Sequence, residues 1–396
     1  MKKNASTLWQ TSEDQIRSVD GLRALSFIWI FIFHIFYLYE SFISPELQSS
    51  FIDSTKDMLF AWRGTLGVDT FFVISGFLIA RLLIKEYEIK KSIDLKRFYL
   101  RRFLRLMPVY YFSIFVVVIG YDPKISANFA LNGEQLWANL LYVNNFFTYH
   151  DQFMLWTWSL AIEEQFYILF ALMASVVFVN YRRGVGIVTS LIILSFLIRW
   201  YYVDASFANA PVNPLLLDTD LLYFDTIYDK LHGRFGAIFI GILVALISYK
   251  YPLKAKKTSY LIIVQALSVL GLIALLYYNP AEIPAWYLIS FRNIFSIFIA
   301  IILFVQLNLD GKFLWFMSPL KYRIFKPIAQ VSYGAYIWHP ICISVVYGLT
   351  LKRGLLVNSI ADLTLPAIVA FAITIMVSML TYLLIEKPLM NMRKYL

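Results

Sequence analysis

The chain has a single cysteine, Cys342, inside an apolar run, so no internal disulfide is open to it. Charge is also scarce. Asp, Glu, Lys and Arg make up 15% of the 396 residues, against about 25% in soluble domains. The four histidines, His34, His150, His232 and His339, form no i, i+4 pair. With no second cysteine, that pattern excludes the usual zinc spacings, and no metal is expected. No phosphate-cradling P-loop or dinucleotide fingerprint is present. Nor is there a Gly/Ser linker, a low-complexity tract or a short-period repeat, so residues 1–396 are expected to form one membrane domain with no appended soluble domain. Residues 1–19 are polar and the first apolar run has no small-residue cleavage site at its end, which argues against a cleavable signal peptide.

What the chain has in abundance is apolar surface: 60% hydrophobic residues, 18% aromatics and a mean hydropathy of +0.66. Runs near the ~20 residues that a helix needs to cross a bilayer occur at 22–40, 65–84, 104–120, 156–179, 185–203, 234–249, 259–278, 286–307, 327–349 and 363–385. The expected fold is all-α, a polytopic membrane protein of about ten transmembrane helices. A shorter run near 134–149, broken by Asn139, Asn144 and Asn145, better fits an amphipathic or re-entrant element. With residues 1–21 placed in the cytoplasm, 26 of the 35 Lys and Arg fall inside. That bias supports cytoplasmic N- and C-termini. It also makes the net charge of +10 topological, so no nucleic acid is expected as partner. Acids gather outside, with Asp204, Asp218, Asp220, Asp225 and Asp229 following the fifth span.

Chemistry is suggested first by DGLRALSFIWIFIFHIFYLY, residues 20–39. Arg23 and His34 are eleven positions apart, three turns plus about 20°, so they share a helix face about 16 Å apart. An ionisable group so deep in a bilayer normally faces a cavity or a partner, although packing against a neighbouring helix would also accommodate it. In DLKRFYLRRFLRLMP, Arg97, Arg101 and Arg105 line one helical face with Arg102 beside them. Such a stripe suits a multiply phosphorylated ligand, or alternatively the anionic headgroups of membrane lipids. In LWTWSLAIEEQFYILF, Glu163 and Glu164 lie five to six residues beyond Trp158, roughly 8–9 Å below an aromatic belt at the outer interface. His34 is about 9 Å from the outer end of its own span, so carboxylate and imidazole are expected to meet at one depth. The carboxylate would then raise the basicity of the imidazole and fix its tautomer. Asp69, Ser75, Arg292 and His339 also sit in outer halves of spans, and Asp69, Arg292 and His339 are candidates for holding a substrate. His339 precedes Pro340 and has a plainer job available, satisfying backbone groups which that proline loosens. Ser75 lacks the glycine pattern of a nucleophile elbow.

Together these residues resemble the membrane-bound acyltransferase 3 family. The resemblance rests on Asp20-Gly21-Leu22-Arg23-Ala24 with His34, on Gly67-Val68-Asp69, and on Phe71 to Phe77 (FFVISGF). It continues through Arg101-Arg102, Arg105 and Pro108, Trp158-Ser159-Leu160 with Glu163, Gln165-Phe166-Tyr167, Ser332-Tyr333 with Trp338-His339, and Glu386-Lys387-Pro388. It implies a bacterial inner-membrane enzyme that moves an acyl group, commonly acetyl from acetyl-CoA, to a hydroxyl of an envelope carbohydrate such as O-antigen or exopolysaccharide. It also implies that Arg23 and His34 match the family's Arg/His motif, that Arg101, Arg102 and Arg105 match its donor-linked basic motif, and that Glu163 holds its acidic position.

The sequence therefore predicts a membrane-bound O-acyltransferase. Acyl-CoA would dock with its phosphates on Arg101, Arg102 and Arg105, its thioester reaching along the Arg23 stripe to His34. His34, oriented by Glu163, would take the proton of a hydroxyl on a glycan or glycolipid acceptor. An acyl-histidine intermediate is the mechanistic alternative. A proton-coupled transporter or flippase of an envelope glycan, with His34 and Glu163 as its relay, is the competing class.

Overall fold

Inside a bilayer, apolar runs must satisfy their backbone groups internally, which makes them helices. The computed structural model describes residues 16–40, 42–43, 45–120, 133–207, 221–251, 258–278, 284–308, 320–352 and 360–393. The first fifteen residues, and Asp218 and Asp220 of the acidic stretch, lie outside them. Among the described residues, ten helical segments are long and apolar enough to span a membrane. Their helices are α1 (Arg17–Glu40), α2 (Leu66–Lys90), α3 (Leu95–Ile119), α4 (Trp158–Val179) and α5 (Tyr181–Phe207), then α6 (Leu231–Lys250), α7 (Thr258–Tyr277), α8 (Ala285–Asn308), α9 (Phe325–Lys352) and α10 (Ile360–Thr381). Each coincides with one of the ten apolar runs.

The helices form an inner and an outer group. The apolar windows of α1, α2, α6, α8 and α9 are 61–72% buried by the rest of the chain, those of the other five 17–39%. The inner group carries His34, Asp69, Arg234, Arg292 and His339. Its tightest seam is α2 on α6, where Gly76 faces the Ile238 carbonyl and Gly241 faces that of Val73. A Cβ at either glycine would collide with the opposing backbone, so both positions are required for this close approach.

Two connections position the site. α2 ends on Lys91, whose left-handed conformation (φ 55°) lets its N–H bond the Tyr87 carbonyl at 2.7 Å. Asp94 then caps α3 by accepting from the Arg97 N–H at 2.9 Å. That tight hairpin sets the arginines of α3 beside the end of α2, here termed the basic end of the bundle. Between α3 and α4, the run expected to be amphipathic or re-entrant is a chain of short helical turns from Gly133 to Thr157. Its interrupting asparagines are buried and bonded: Asn139 Nδ2 to Thr157 Oγ1 at 2.8 Å, and Asn144 Nδ2 to Gln152 Oε1 at 3.1 Å. Gln152 in turn donates to Asp229 at 2.7 Å, and Lys230 pairs with Asp229 at 2.9 Å. Burial pushes the Asp229 carboxyl up to about 7, against the pull of Lys230 and Gln152. At the end of α1 remote from the arginines, Tyr37 is hydrogen-bonded through its hydroxyl to Tyr149.

Candidate active site

The basic end carries a cleft of about 520 Å³ walled by Arg97, Arg101, Arg102, Arg105, Lys387 and Arg393. Its one acidic wall residue, Glu86, is engaged by Lys90 at 3.2 Å and by the Asp94 N–H. None of these five arginines forms an ion pair with a carboxylate among the described residues. The Nε atoms of Arg97 and Arg101 are buried and have no hydrogen-bond partner among the described residues. Burial, and then the like charges of Arg102 and Arg101, push the Arg393 guanidinium below its ordinary value. A cleft with this much unspent positive charge and these orphaned donors is built for a polyanion.

Arg102 and Arg105 also wall a second, smaller cavity of about 100 Å³ with Arg23, Ser75, Glu163, Tyr167, Ser332 and Tyr336. Arg23 donates to Ser332 Oγ at 3.0 Å. The hydroxyls of Ser75 and Tyr167 both donate to Glu163 Oε1. The Arg102 guanidinium lies 4.4 Å from the centre of the Tyr167 ring, a cation–π contact. Cleft and cavity meet at the two arginines, so a ligand held by its charged groups outside can extend an uncharged arm inward between them.

One turn of α9 beyond Tyr336 lies His339, with its ring centre 5.5 Å from that of Tyr336 and 4.6 Å from that of His34. His34 Nδ1 lies 2.9 Å from the Ile30 carbonyl and His339 Nδ1 2.8 Å from the Tyr336 carbonyl. A carbonyl only accepts, so each Nδ1 carries the proton and each Nε2 keeps its lone pair. Pro340 accounts for the second bond. It has no N–H for the carbonyl four residues back, which is that of Tyr336, and the His339 imidazole takes its place. His34 is half-buried and His339 fully buried.

The expected meeting of His34 with Glu163 does not occur. Gly67 of α2 lies against Ser26 and Ile30 of α1. Ser75 is eight residues further along α2, and it is Ser75 that holds Glu163. Counting helical rise, Glu163 sits on the order of 10–20 Å nearer the basic end than His34. The expectation placed Trp158 at the membrane interface, but Trp158 is 4% exposed and packs 4.9 Å from the Arg234 guanidinium, because the turns before it fold inside the bundle. The tautomer of His34 is set instead by its own helix.

Asp69 and Arg292 also take another place than expected. Asp69 accepts from Arg292 Nη1 at 2.6 Å and from Arg234 Nη1 at 3.0 Å, and all three side chains are at most 2% exposed. The triad ties α2, α6 and α8 together, with both arginines paired to the one carboxylate. Removing one partner of a buried pair strands the other charge, which costs about 3–5 kcal/mol. Asp69→Ala is therefore expected to lower thermal stability by that order, read by the unfolding midpoint in detergent. A variant as stable as wild type would return Asp69 to the candidates for substrate contact.

Several site residues carried weaker sequence signals. Tyr167 stands four residues after Glu163, one helical turn on the same face, and Ser332 belongs to the Ser-Tyr pair already noted. The pairing of His339 with His34 is a tertiary fact without a spacing to announce it. Its tautomer is nevertheless written in the His339-Pro340 dipeptide.

Residues 16–383 match the family model of an acyltransferase domain, that of the acyltransferase 3 family. The O-acetyltransferase OatA of Staphylococcus aureus strain NCTC 8325 is 30% identical over 347 residues, 83% of this chain and 50% of OatA. A putative O-acetyltransferase of S. aureus strain COL is 28% identical over 395 residues, 94% of this chain and 57% of that protein. The chain thus spans about half the length of these relatives. No solved structure matches it. With a family match over nearly the whole chain, this multi-pass membrane protein belongs to the acyltransferase 3 family.

Proposed function

We propose that the protein is an acyl-CoA-dependent O-acyltransferase of the bacterial cytoplasmic membrane, moving an acyl group, acetyl by analogy with relatives named O-acetyltransferases, to a hydroxyl of an envelope glycan or glycolipid. One observation carries the reading: five arginines without carboxylate partners among the described residues converge on one cleft, and two of them also wall the cavity that leads inward. The phosphates of CoA supply the matching polyanion, and its long uncharged arm the matching extension. Membrane lipids surround the outer helices.

In this mechanism Arg97, Arg101, Arg102 and Arg105 hold the donor phosphates at the basic end, taken as cytoplasmic. Glu163 serves the throat between cleft and cavity. Its carboxylate fixes Ser75 and Tyr167, and Tyr167 steadies Arg102. The thioester passes Arg23 and Tyr336 to reach His34. There the acceptor oxygen attacks the thioester carbon. The new C–O bond forms, the C–S bond breaks, and the hydroxyl proton moves to His34 Nε2 and on to the departing CoA thiolate. A positioned base contributes typically 10²–10⁴-fold to such a step.

The test is direct. Purified protein in lipid nanodiscs should bind acetyl-CoA and release free CoA thiol when envelope glycan is added. Mass spectrometry should find O-acetyl groups on the glycans of cells that make the protein and fewer on those of cells that lack it. Glycans that are identical in the two strains, with no acyl-CoA binding in vitro, would refute the proposal and favour the transporter reading.

A further inference from the structure

We infer that His339 is a positioning residue for the base, and that His34 and His339 work as one unit which shares a single proton. The inference rests on the acyl-transfer reading, since it assigns a second imidazole to that reaction.

The two rings stand nearly perpendicular, 80° apart, with centres at 4.6 Å. Each has its Nδ1–H committed to a carbonyl of its own helix, so each presents a bare Nε2. His339 Nε2 is buried and has no hydrogen-bond partner among the described residues. A buried acceptor without a donor costs on the order of 1–3 kcal/mol, and native structures normally satisfy such groups. Two neighbouring acceptors cannot satisfy each other. A proton carried on His34 Nε2 supplies the donor that His339 Nε2 lacks in the neutral pair, in which the two nitrogens make no hydrogen bond. The pair thus has a place for the proton of the acceptor hydroxyl while the C–O bond forms and the C–S bond breaks. When the thiolate leaves, the same proton returns to its sulfur, and the pair is again neutral.

The surroundings leave this work to the pair. From α1, Phe27, Phe31 and His34 face His339, from α10 Phe371, and from its own helix Tyr336. Facing His34 are His339 and, on its own helix, Phe33 and Tyr37. Apart from the two tyrosines and the two imidazoles themselves, these groups do not titrate near neutral pH.

Two substitutions separate the two nitrogens of His339. Asparagine offers an amide N–H near the Nδ1 position, so His339→Asn can keep the bond to the Tyr336 carbonyl while losing the acceptor at Nε2. Glutamine reaches further, so His339→Gln restores an acceptor near Nε2 at the expense of the backbone bond. If His339 shares the proton, His339→Asn should bind acetyl-CoA with unchanged affinity, hold its KM, and lose about 10–100-fold in kcat, the lower part of the range for proton-transfer catalysis. His339→Gln, although less heat-stable, should recover part of that kcat. A purely structural role predicts the reverse ranking, with the Asn variant near wild type and the Gln variant impaired; that ranking would overturn the inference. Should either variant fail to fold, 15N-histidine NMR of the wild type decides. His34 and His339 should shift together on acidification as one proton is taken up, and two independent titrations would refute the shared proton. Absence of acyl-CoA turnover in the wild type would instead refute the reaction, whatever the NMR shows.

Discussion

Replacing His34 with alanine is expected to abolish acyl transfer, a fall of at least 10²–10⁴-fold, while acetyl-CoA still binds. The separation of functions follows from the geometry. The cleft that would hold the donor phosphates is formed by α2, α3 and the short helix Lys387–Met392 with Arg393, and His34 is not among its wall residues. Arg23, the nearest arginine on the same helix, is eleven residues away, about 16 Å along the axis. The loss should therefore appear in kcat, with the donor dissociation constant measured by calorimetry nearly unchanged. His34→Ala also removes the donor to the Ile30 carbonyl, but that carbonyl retains the N–H of residue 34 within the helix, so the fold is expected to survive. Because Glu163 stands at the throat and not beside the imidazole, Glu163→Gln should act differently, raising KM for acyl-CoA through a loosened Tyr167 and Arg102. A His34→Ala protein that still acylates at near wild-type rate would end the case for imidazole as the base.

Much of this arrangement could be read in the sequence, and the part that could not has an identifiable cause. Ten spans were visible because hydropathy and length are local properties, and the Arg97–Arg105 stripe because i, i+4 spacing is helical geometry. Depth was not local. The expected contact of His34 with Glu163 assumed that α4 starts at the membrane surface. The turns at Gly133–Thr157, sewn down by Asn139, Asn144 and Gln152, instead carry Trp158 into the protein interior. No residue spacing announces such an inward fold. Asp69 and Arg292 show the same limit. Each looked like a substrate ligand because each is an isolated charge in its own span, and only the tertiary fold shows Arg234 arriving from a third helix to complete a buried triad. His339 lies between these cases. The sequence showed that Pro340 would free a carbonyl, and the structure shows His339 bonded to that carbonyl, yet the neighbour on its other side comes from α1.

Alanine at Arg102 or Arg105 is expected to weaken acetyl-CoA binding by about 1.5–3 kcal/mol, the usual loss for a charged hydrogen bond. In affinity that is roughly 10–150-fold for each. These two should exceed Arg97 and Arg101 in effect, because they line the inner cavity as well as the cleft. Arg102→Ala also strips the cation from the Tyr167 ring, so its double mutant with Arg105→Ala should fall short of the sum, as neighbours that share a ligand do. Lysine at either position keeps the charge without the planar fork, and should recover part of the loss only. Stability should change less than affinity, since none of these guanidinium groups forms an ion pair with a carboxylate among the described residues. The competing role for the stripe is anchorage to anionic lipid, which makes the opposite forecast. An Arg101→Ala/Arg102→Ala/Arg105→Ala protein would then keep its acetyl-CoA affinity, measured by calorimetry in nanodiscs of neutral lipid, and lose only the stabilisation that phosphatidylglycerol gives the wild type. Weaker donor binding in neutral nanodiscs, where no anionic headgroup competes, assigns the arginines to the donor.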